Sequence, residues 1–179
     1  MGELKSKKYS FHYGPWMTLT NARLIAKQAG IPFDIEAINC QLFIHTIYRD
    51  LFGVQLPQLW SKEIYEDQLL FVPVKKTEKQ YVGDIFMFQP YYKKEFNPME
   101  LHLAVATGEF INSKPVLAHA TYHVNGVDFW ELDRFINSNS NTPPEPRYIL
   151  KTIKRLRDDL WIPNIRPFVG KKINFDLII

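Results

Sequence analysis

The residues best suited to chemistry in this sequence are one cysteine and two histidines that stand in apolar surroundings. Cys40 is the only cysteine among the 179 residues, and the apolar residues after it recur at the spacing of a helix. A helix that starts at Cys40 would place backbone N–H groups and the positive end of its dipole at the sulfur, which lowers a thiol pKa. A free cysteine is also among the most often buried side chains, so Cys40 taken alone fits an inert core residue better than a nucleophile.

Two histidines change this balance, because each lies in a segment that is otherwise apolar. His102 stands in LHLAVA at residues 101–106, and His119 stands in VLAHAT at residues 116–121. The simplest explanation is a core histidine that is satisfied by a hydrogen bond. An imidazole of near-neutral pKa can also accept a proton from a thiol and return it to a leaving group, while a polar side chain on a paired strand orients the ring. Cys40, His102 and His119 are therefore the candidate catalytic residues.

A metal site is the competing use of the same residue types. His119 and His123 are four positions apart, which would suit two ligands on a helix. In a strand they lie ~13 Å apart at ~3.3 Å per residue, so they cannot share one ion. The sequence also shows no phosphate-binding glycine loop and no nucleophilic-serine motif. We therefore expect neither a metal nor a cofactor.

The basic residues are scattered along the chain and give a formal net charge of +3. Their densest group is the segment KTIKRLR at residues 151–157. A nucleic-acid surface needs cations that converge on one face, together with a recognition motif, and the sequence shows no such motif. A solvated face is the better explanation, and we expect no nucleic-acid partner.

The apolar periodicity changes along the chain from helical to strand-like, which indicates helices packed on an antiparallel sheet, an α+β fold. The Asn125-Gly126 pair predicts a hairpin, and alternating basic residues at 148–156 favour a strand at a sheet edge. Helices are predicted at 20–29, 40–52 and 58–70, and further strands at 85–88, 101–107, 115–122 and 127–132.

The length and composition fit a single domain that works in a reducing compartment. We predict one catalytic domain at residues 1–179, with a core at about 18–157 and a C-terminal extension at 158–179. One cysteine cannot form an intramolecular disulfide, and the first 14 residues lack the apolar stretch of a secretory signal. The longest apolar runs fall short of the ~18 residues that a membrane helix needs. We therefore expect a cytoplasmic protein with no membrane partner.

Short motifs in a fixed order carry a resemblance to a known family. They are NCQLF at 39–43, which runs into FGVQLP at 52–57, then VGDIFMF at 82–88, HLAVATG at 102–108 and LAHAT at 117–121. Together they resemble the Asp-Cys-Ser-Gly-Phe, Gly-x-x-Leu-Pro, Gly-Asp-Leu-x-x-Phe, His-Val-Gly-Ile-Tyr-x-Gly and His-Ala-Ser motifs of the NlpC/P60 family of papain-like cysteine peptidases. The resemblance covers residues 30–156.

This resemblance implies a papain-like NlpC/P60 fold and a Cys-His-His triad. Cys40 is then the nucleophile, His102 the general base and His119 the orienting residue, with the backbone N–H of Cys40 as an oxyanion donor. The implied reaction is hydrolysis of an amide or peptide bond through an acyl-enzyme, with cell-wall-type peptides as the implied substrates and no cofactor.

Three candidate substrate-binding positions depart from the family pattern. Phe33, Asn39 and Gln41 stand where many family members carry a tyrosine, an aspartate and a serine that help to recognise a free amine. An asparagine lacks the negative charge that pairs with an ammonium, and a phenylalanine lacks the hydroxyl. Two alternatives therefore stay open, a thiol acyltransferase and a non-catalytic binding protein on the same fold.

Overall fold

The computed structural model describes residues 40–57, 59–121, 126–138 and 147–160. The predicted helix at 20–29, the candidate residues Phe33 and Asn39, and the extension from residue 161 onward lie outside the described residues. The described helices are α1 (Cys40–Phe52), α2 (Ser61–Glu66) and α3 (Leu132–Ile136), with 3-10 turns at Pro98–Glu100 and Asp158–Leu160. The described strands are β1 (Phe71–Val74), β2 (Ile85–Pro90), β3 (His102–Ile111), β4 (Lys114–Thr121), β5 (Gly126–Glu131) and β6 (Tyr148–Leu156).

The six strands form one antiparallel sheet in the order β1-β6-β2-β3-β4-β5. β2 to β5 follow one another as a meander, which confirms the predicted α+β class. The hairpin between β4 and β5 is also confirmed, because Thr121 pairs with Gly126 and the register runs from there to Val116 and Glu131. The turn residues 122–125, which include Asn125, lie outside the described part of the chain.

The turn between β3 and β4 fixes the two histidine-bearing strands side by side. Ile111 pairs with Lys114, and the two residues between them, Asn112 and Ser113, have φ angles of 49° and 63°. Two consecutive left-handed residues make a type I′ turn, whose twist matches that of the strands it joins. The register shifts at a β-bulge between Ala106 and Phe110, so the turn and the bulge together bring His102 and His119 into contact.

Helix α1 lies against one face of the sheet through a continuous apolar stripe. Phe43, Ile44 and Ile47 on this stripe are fully buried, as their helical spacing predicts. The hydroxyl of Tyr48, which is also buried, donates to the carbonyl of Gly83 at 2.6 Å and ties the helix to the start of β2. The helix ends at Gly53, whose φ of 64° lies in the left-handed region where glycine carries no Cβ penalty.

The two faces of the sheet carry separate apolar clusters, because successive side chains of a strand point to opposite sides. The face toward α1 carries Leu103 and Val105 from β3 and Ala118 and Ala120 from β4. The opposite face carries Ala104 and Ala106 from β3 and Leu117 from β4, and these pack with Trp130 and with Phe135 of α3. Side chains on one face therefore pack in one apolar cluster, and side chains on the other face pack in the other.

Two elements differ from their predictions. The predicted helix at 58–70 is shorter, since α2 covers only Ser61–Glu66 and residues 71–74 form the unpredicted strand β1. The strand predicted at 148–156 is present as β6, but it lies between β1 and β2 rather than at an edge. The side chain of Lys154 is consequently buried, and its ammonium donates to the carbonyl of Asp67 at 2.8 Å. The prediction that this basic segment is a solvated face is therefore wrong at Lys154.

A buried ion pair joins β6 to the start of β2. Asp84 is 1% exposed, and its two carboxylate oxygens accept from Nε and Nη2 of Arg155 at 2.8 and 2.7 Å. Burial raises the pKa of Asp84, while the hydrogen bonds from Arg155 and the backbone N–H of Tyr81 act in the opposite direction. The two-pronged contact is the arrangement in which a guanidinium best compensates a desolvated carboxylate.

We predict that Arg155→Met lowers the free energy of unfolding by ~3–5 kcal/mol, because it leaves the Asp84 carboxylate buried without its cation. The matched control is Arg157→Met, two residues further along. Arg157 pairs with Asp159 at 2.8 Å with both side chains largely exposed, and such pairs contribute ~0–1 kcal/mol. Urea unfolding followed by circular dichroism compares the two variants, and equal losses would contradict the account.

Candidate active site

Cys40 is the first residue of α1, as predicted, and its sulfur lies against the main chain at the start of β3. The thiol makes a long, weak hydrogen bond to the carbonyl of Leu101, with a sulfur–oxygen distance of 4.0 Å. The side chain belongs to the apolar cluster between α1 and the sheet and is 8% exposed. The sulfur is thus next to the residues that flank His102 in the sequence.

Two opposing influences act on the Cys40 thiol. Burial raises its pKa to about 11, while the backbone N–H groups of Leu103, Cys40 and Gln41 favour the thiolate and pull the pKa down. Burial is the larger effect, so the thiol is protonated at neutral pH in this arrangement. The N–H groups of Cys40 and Gln41 belong to the first turn of α1.

His102 and His119 form a buried hydrogen-bonded pair. Nε2 of His102 lies 2.8 Å from Nδ1 of His119, and the two rings meet edge to face. One of these nitrogens holds the shared proton, so each ring constrains the tautomer of the other. The structure therefore shows a direct hydrogen bond between His102 and His119.

Both imidazoles are neutral in the folded protein. Burial lowers the pKa of His102 to about 4. Burial, the neighbouring His102 and Arg134 hold the pKa of His119 well below its ordinary value. The second nitrogen of His119, Nε2, is buried and has no hydrogen-bond partner among the described residues. A positive charge on either ring would be desolvated without a carboxylate to compensate it.

The histidine pair and the cysteine lie on different faces of the sheet. The ring of His102 stacks on Tyr148 with centroids 5.3 Å apart, and His119 contacts Phe135 and Trp130 with centroids 4.8 and 4.5 Å away. All three partners belong to the cluster opposite α1. No hydrogen bond joins Cys40 to His102. The structure thus brings the two histidines together and places the sulfur beside the main chain of β3.

The structure describes one of the three candidate substrate-binding residues. Gln41 is buried at 7% exposure in the first turn of α1, whereas Phe33 and Asn39 lie outside the described residues.

The site also contains a residue that the sequence did not indicate. Tyr148 follows a polar loop and belongs to no motif. It nevertheless stacks on His102 across the intervening strand β2. Only the sheet order, with β6 beside β2, reveals this contact.

The described residues offer no group of three or more histidine, cysteine, aspartate or glutamate side chains that could hold a metal ion. No helix in the described part is long and apolar enough to cross a membrane. The reactive groups of the candidate site are the Cys40 thiol, the imidazoles of His102 and His119, and the backbone N–H groups around the sulfur.

We predict that the free energy of unfolding falls as the pH drops from about 6.5 to about 4. The unfolded histidine titrates near 6.5, whereas burial lowers the folded pKa of His102 to about 4. The unfolded state therefore binds the proton first, so the stability is fully present above about 6.5 and is lost below it. A shift of this size corresponds to about 3 kcal/mol for His102 alone. Urea unfolding across this pH range measures the loss.

The control for this prediction is the double variant His102→Leu/His119→Leu. Replacing both partners of a buried hydrogen bond by apolar groups of similar size is nearly neutral. The double variant should therefore stay folded at neutral pH and lose less stability on acidification than the natural sequence. Parallel pH curves for the two proteins would show that the pair does not titrate as described.

No protein-family model matches this chain, and no curated protein matches it at a significant level. The fold is an α+β domain with a helix on a six-stranded antiparallel sheet, and it is compatible with an NlpC/P60 domain.

Proposed function

We propose that this protein is a cysteine hydrolase of the NlpC/P60 type that cleaves an amide bond in a peptide. One observation supports the proposal most strongly. The sulfur of Cys40 lies at the first residue of α1, against the main chain on both sides of His102, and His102 is hydrogen-bonded to His119 at 2.8 Å. The proposed nucleophile thus lies beside the main chain of β3 on one face of the sheet, and the proposed base and its orienting residue lie on the other face.

The proposed reaction has two halves. In the first, the Cys40 sulfur attacks the carbonyl carbon of the amide, its proton passes to His102, and the carbon–nitrogen bond breaks as His102 protonates the leaving amine. In the second, His102 accepts a proton from water, the hydroxyl attacks the thioester, and the thiol leaves with that proton. The N–H groups of Cys40 and Gln41 point at the sulfur in the resting state. The Cys40 N–H stabilises the oxyanion in both halves.

This mechanism requires a change at the start of β3. In the resting arrangement the His102 ring packs with Tyr148 on the face opposite the sulfur. Catalytic hydrogen bonds are often loose without substrate and tighten only in the substrate complex. His102 is the first residue of its strand, directly after the 3-10 turn Pro98–Glu100 and Leu101. We propose that substrate binding turns this strand end so that the ring reaches the thiol.

The substrate class follows from the altered neighbours of Cys40. Asn39 stands where the resembled family carries an aspartate whose charge pairs with a free ammonium, and Gln41 stands where it carries a serine. We therefore propose a peptide amide whose recognition does not depend on a free amino group close to the scissile bond.

We predict that Cys40→Ala abolishes hydrolysis of peptide p-nitroanilides, with a loss of at least ~10³-fold in kcat/KM. His102→Gln should lower kcat by ~10²–10⁴-fold, because it removes the general base. His45→Gln is the matched control, since His45 lies on the same helix and accepts from the backbone N–H of Leu59, which a glutamine oxygen can replace. Mass spectrometry of the acyl adduct on Cys40 identifies the intermediate.

Full activity of Cys40→Ala would overturn the proposal. So would the absence of both hydrolysis and an acyl adduct in the natural sequence across N-blocked and N-free peptide amides. Thermal unfolding of each variant shows whether a loss of activity reflects a loss of fold.

A non-catalytic binding protein on the same fold is the second candidate. The observation that favours it is the burial of a protonated thiol on the face opposite the imidazoles. On this proposal Cys40 is a core side chain, so Cys40→Ala changes stability but not ligand binding. The same acyl-adduct experiment separates the two candidates.

A further inference from the structure

A concave surface lies on the face of the sheet that carries the histidine pair. It is an open cleft of about 740 Å³ between α3, the turn of the β3–β4 hairpin and the ends of β6. Its apolar lining includes Phe86 and Ile153 from the sheet and Leu132 and Ile136 from α3. This volume and apolar lining are typical of small-molecule sites, which occupy ~300–1,000 Å³.

Three cations from separate parts of the chain converge on this cleft. Lys76 follows β1, Lys114 begins β4 and Arg147 precedes β6, and all three line the cleft. Among the described residues that line it there is no aspartate or glutamate. The amides of Gln80 and Asn137 are the neutral polar groups of the same wall. The cleft is therefore apolar in its lining and positive at its polar groups.

Arg147 is the cation best placed to hold a ligand. Its Nε donates to the carbonyl of Ile136 at 3.1 Å, and its guanidinium lies over the ring of Tyr91 at 4.8 Å. These contacts fix the plane of the group, and its two terminal nitrogens have no hydrogen-bond partner among the described residues. Lys114 is partly neutralised by Asp133 at 3.5 Å, and Lys76 donates to the carbonyl of Leu150 at 3.1 Å. A fixed guanidinium matches a carboxylate or a phosphate.

We infer that this cleft binds an amphipathic anion, a single alkyl chain that ends in a carboxylate or phosphate. The chain covers the accessible apolar lining formed by Leu132, Ile136, Ile149 and Leu150, and the head group binds Arg147 with Lys76 beside it. The inference does not rest on the proposed hydrolysis. Cys40 lies on the other face of the sheet, whereas Tyr148, which lines the cleft, stacks on His102.

The experiment uses decanoate as the probe, with decyl phosphate, decanol and inorganic phosphate for comparison, all below the micelle concentration. Isothermal calorimetry measures the affinity, and methyl NMR locates the ligand. We expect decanoate and decyl phosphate to bind and to shift the methyl signals of Ile136 and Ile153. The signals of Ile44 and Ile64, in the cluster on the other face, should stay in place and serve as the internal control.

Variants test the role of the charge. Arg147→Met should weaken decanoate binding about tenfold, since a hydrogen bond to a charged group is lost, and Arg147→Lys should restore part of it. Lys62→Met, which removes an exposed lysine of α2, should bind like the natural sequence.

Three results would overturn the inference. Equal affinity for decanol and decanoate would mean that the cations play no part. Binding of inorganic phosphate alone would leave no role for the apolar lining. The third result is unchanged decanoate affinity in Arg147→Met. If sedimentation shows that the protein self-associates and that Arg147→Met does not, the occupant is a second copy of the chain, and the inference also falls.

Discussion

Successive side chains of β3 point to opposite faces of the sheet, and this alternation determines the surroundings of every candidate catalytic group. Leu103 and Val105 face α1 in the cluster that contains Cys40, whereas Ala104 lies in the cluster on the α3 face and His102 contacts Phe135 of α3. The β3–β4 turn and the β-bulge between Ala106 and Phe110 then bring His119 to His102. One strand therefore separates a thiol from a histidine pair and holds both in place.

The two sides of β3 share one electrostatic property, because each is dry and each holds its titratable group in the neutral form. Burial raises the pKa of the Cys40 thiol to about 11 and lowers that of His102 to about 4. A thiolate–imidazolium ion pair is therefore absent from the resting state. The proposed hydrolysis requires a substrate that moves the start of β3 and brings charge, water or hydrogen bonds to the sulfur. The buried Asp84–Arg155 pair, by contrast, is compensated in place.

The sequence predicts the helix and strands of this site better than it predicts which face of the sheet each side chain lies on. Apolar periodicity places the start of α1 at Cys40, and the apolar runs around His102 and His119 predict β3 and β4, because both signals are local. The position of β6 depends on pairing with β1 and β2, which are far away in the sequence, so Tyr148 and the burial of Lys154 carry no local signal. The residues that flank His102 mark it as part of a strand. Only the packing of α1 and α3 decides which face of that strand holds the histidine pair and which face holds the thiol.

The most direct test of this account is the ionisation of Cys40, followed through the Cβ chemical shift of the selectively ¹³C-labelled residue as the pH rises. The account predicts one titration well above the ordinary thiol range, with no change from about pH 5 to about pH 10, because the sulfur is buried on the face opposite His102 and His119. A titration below about pH 8 that is coupled to His102 would contradict it. Such a result would show that the free protein already holds a thiolate–imidazolium pair and that Cys40 and His102 share one face of the sheet.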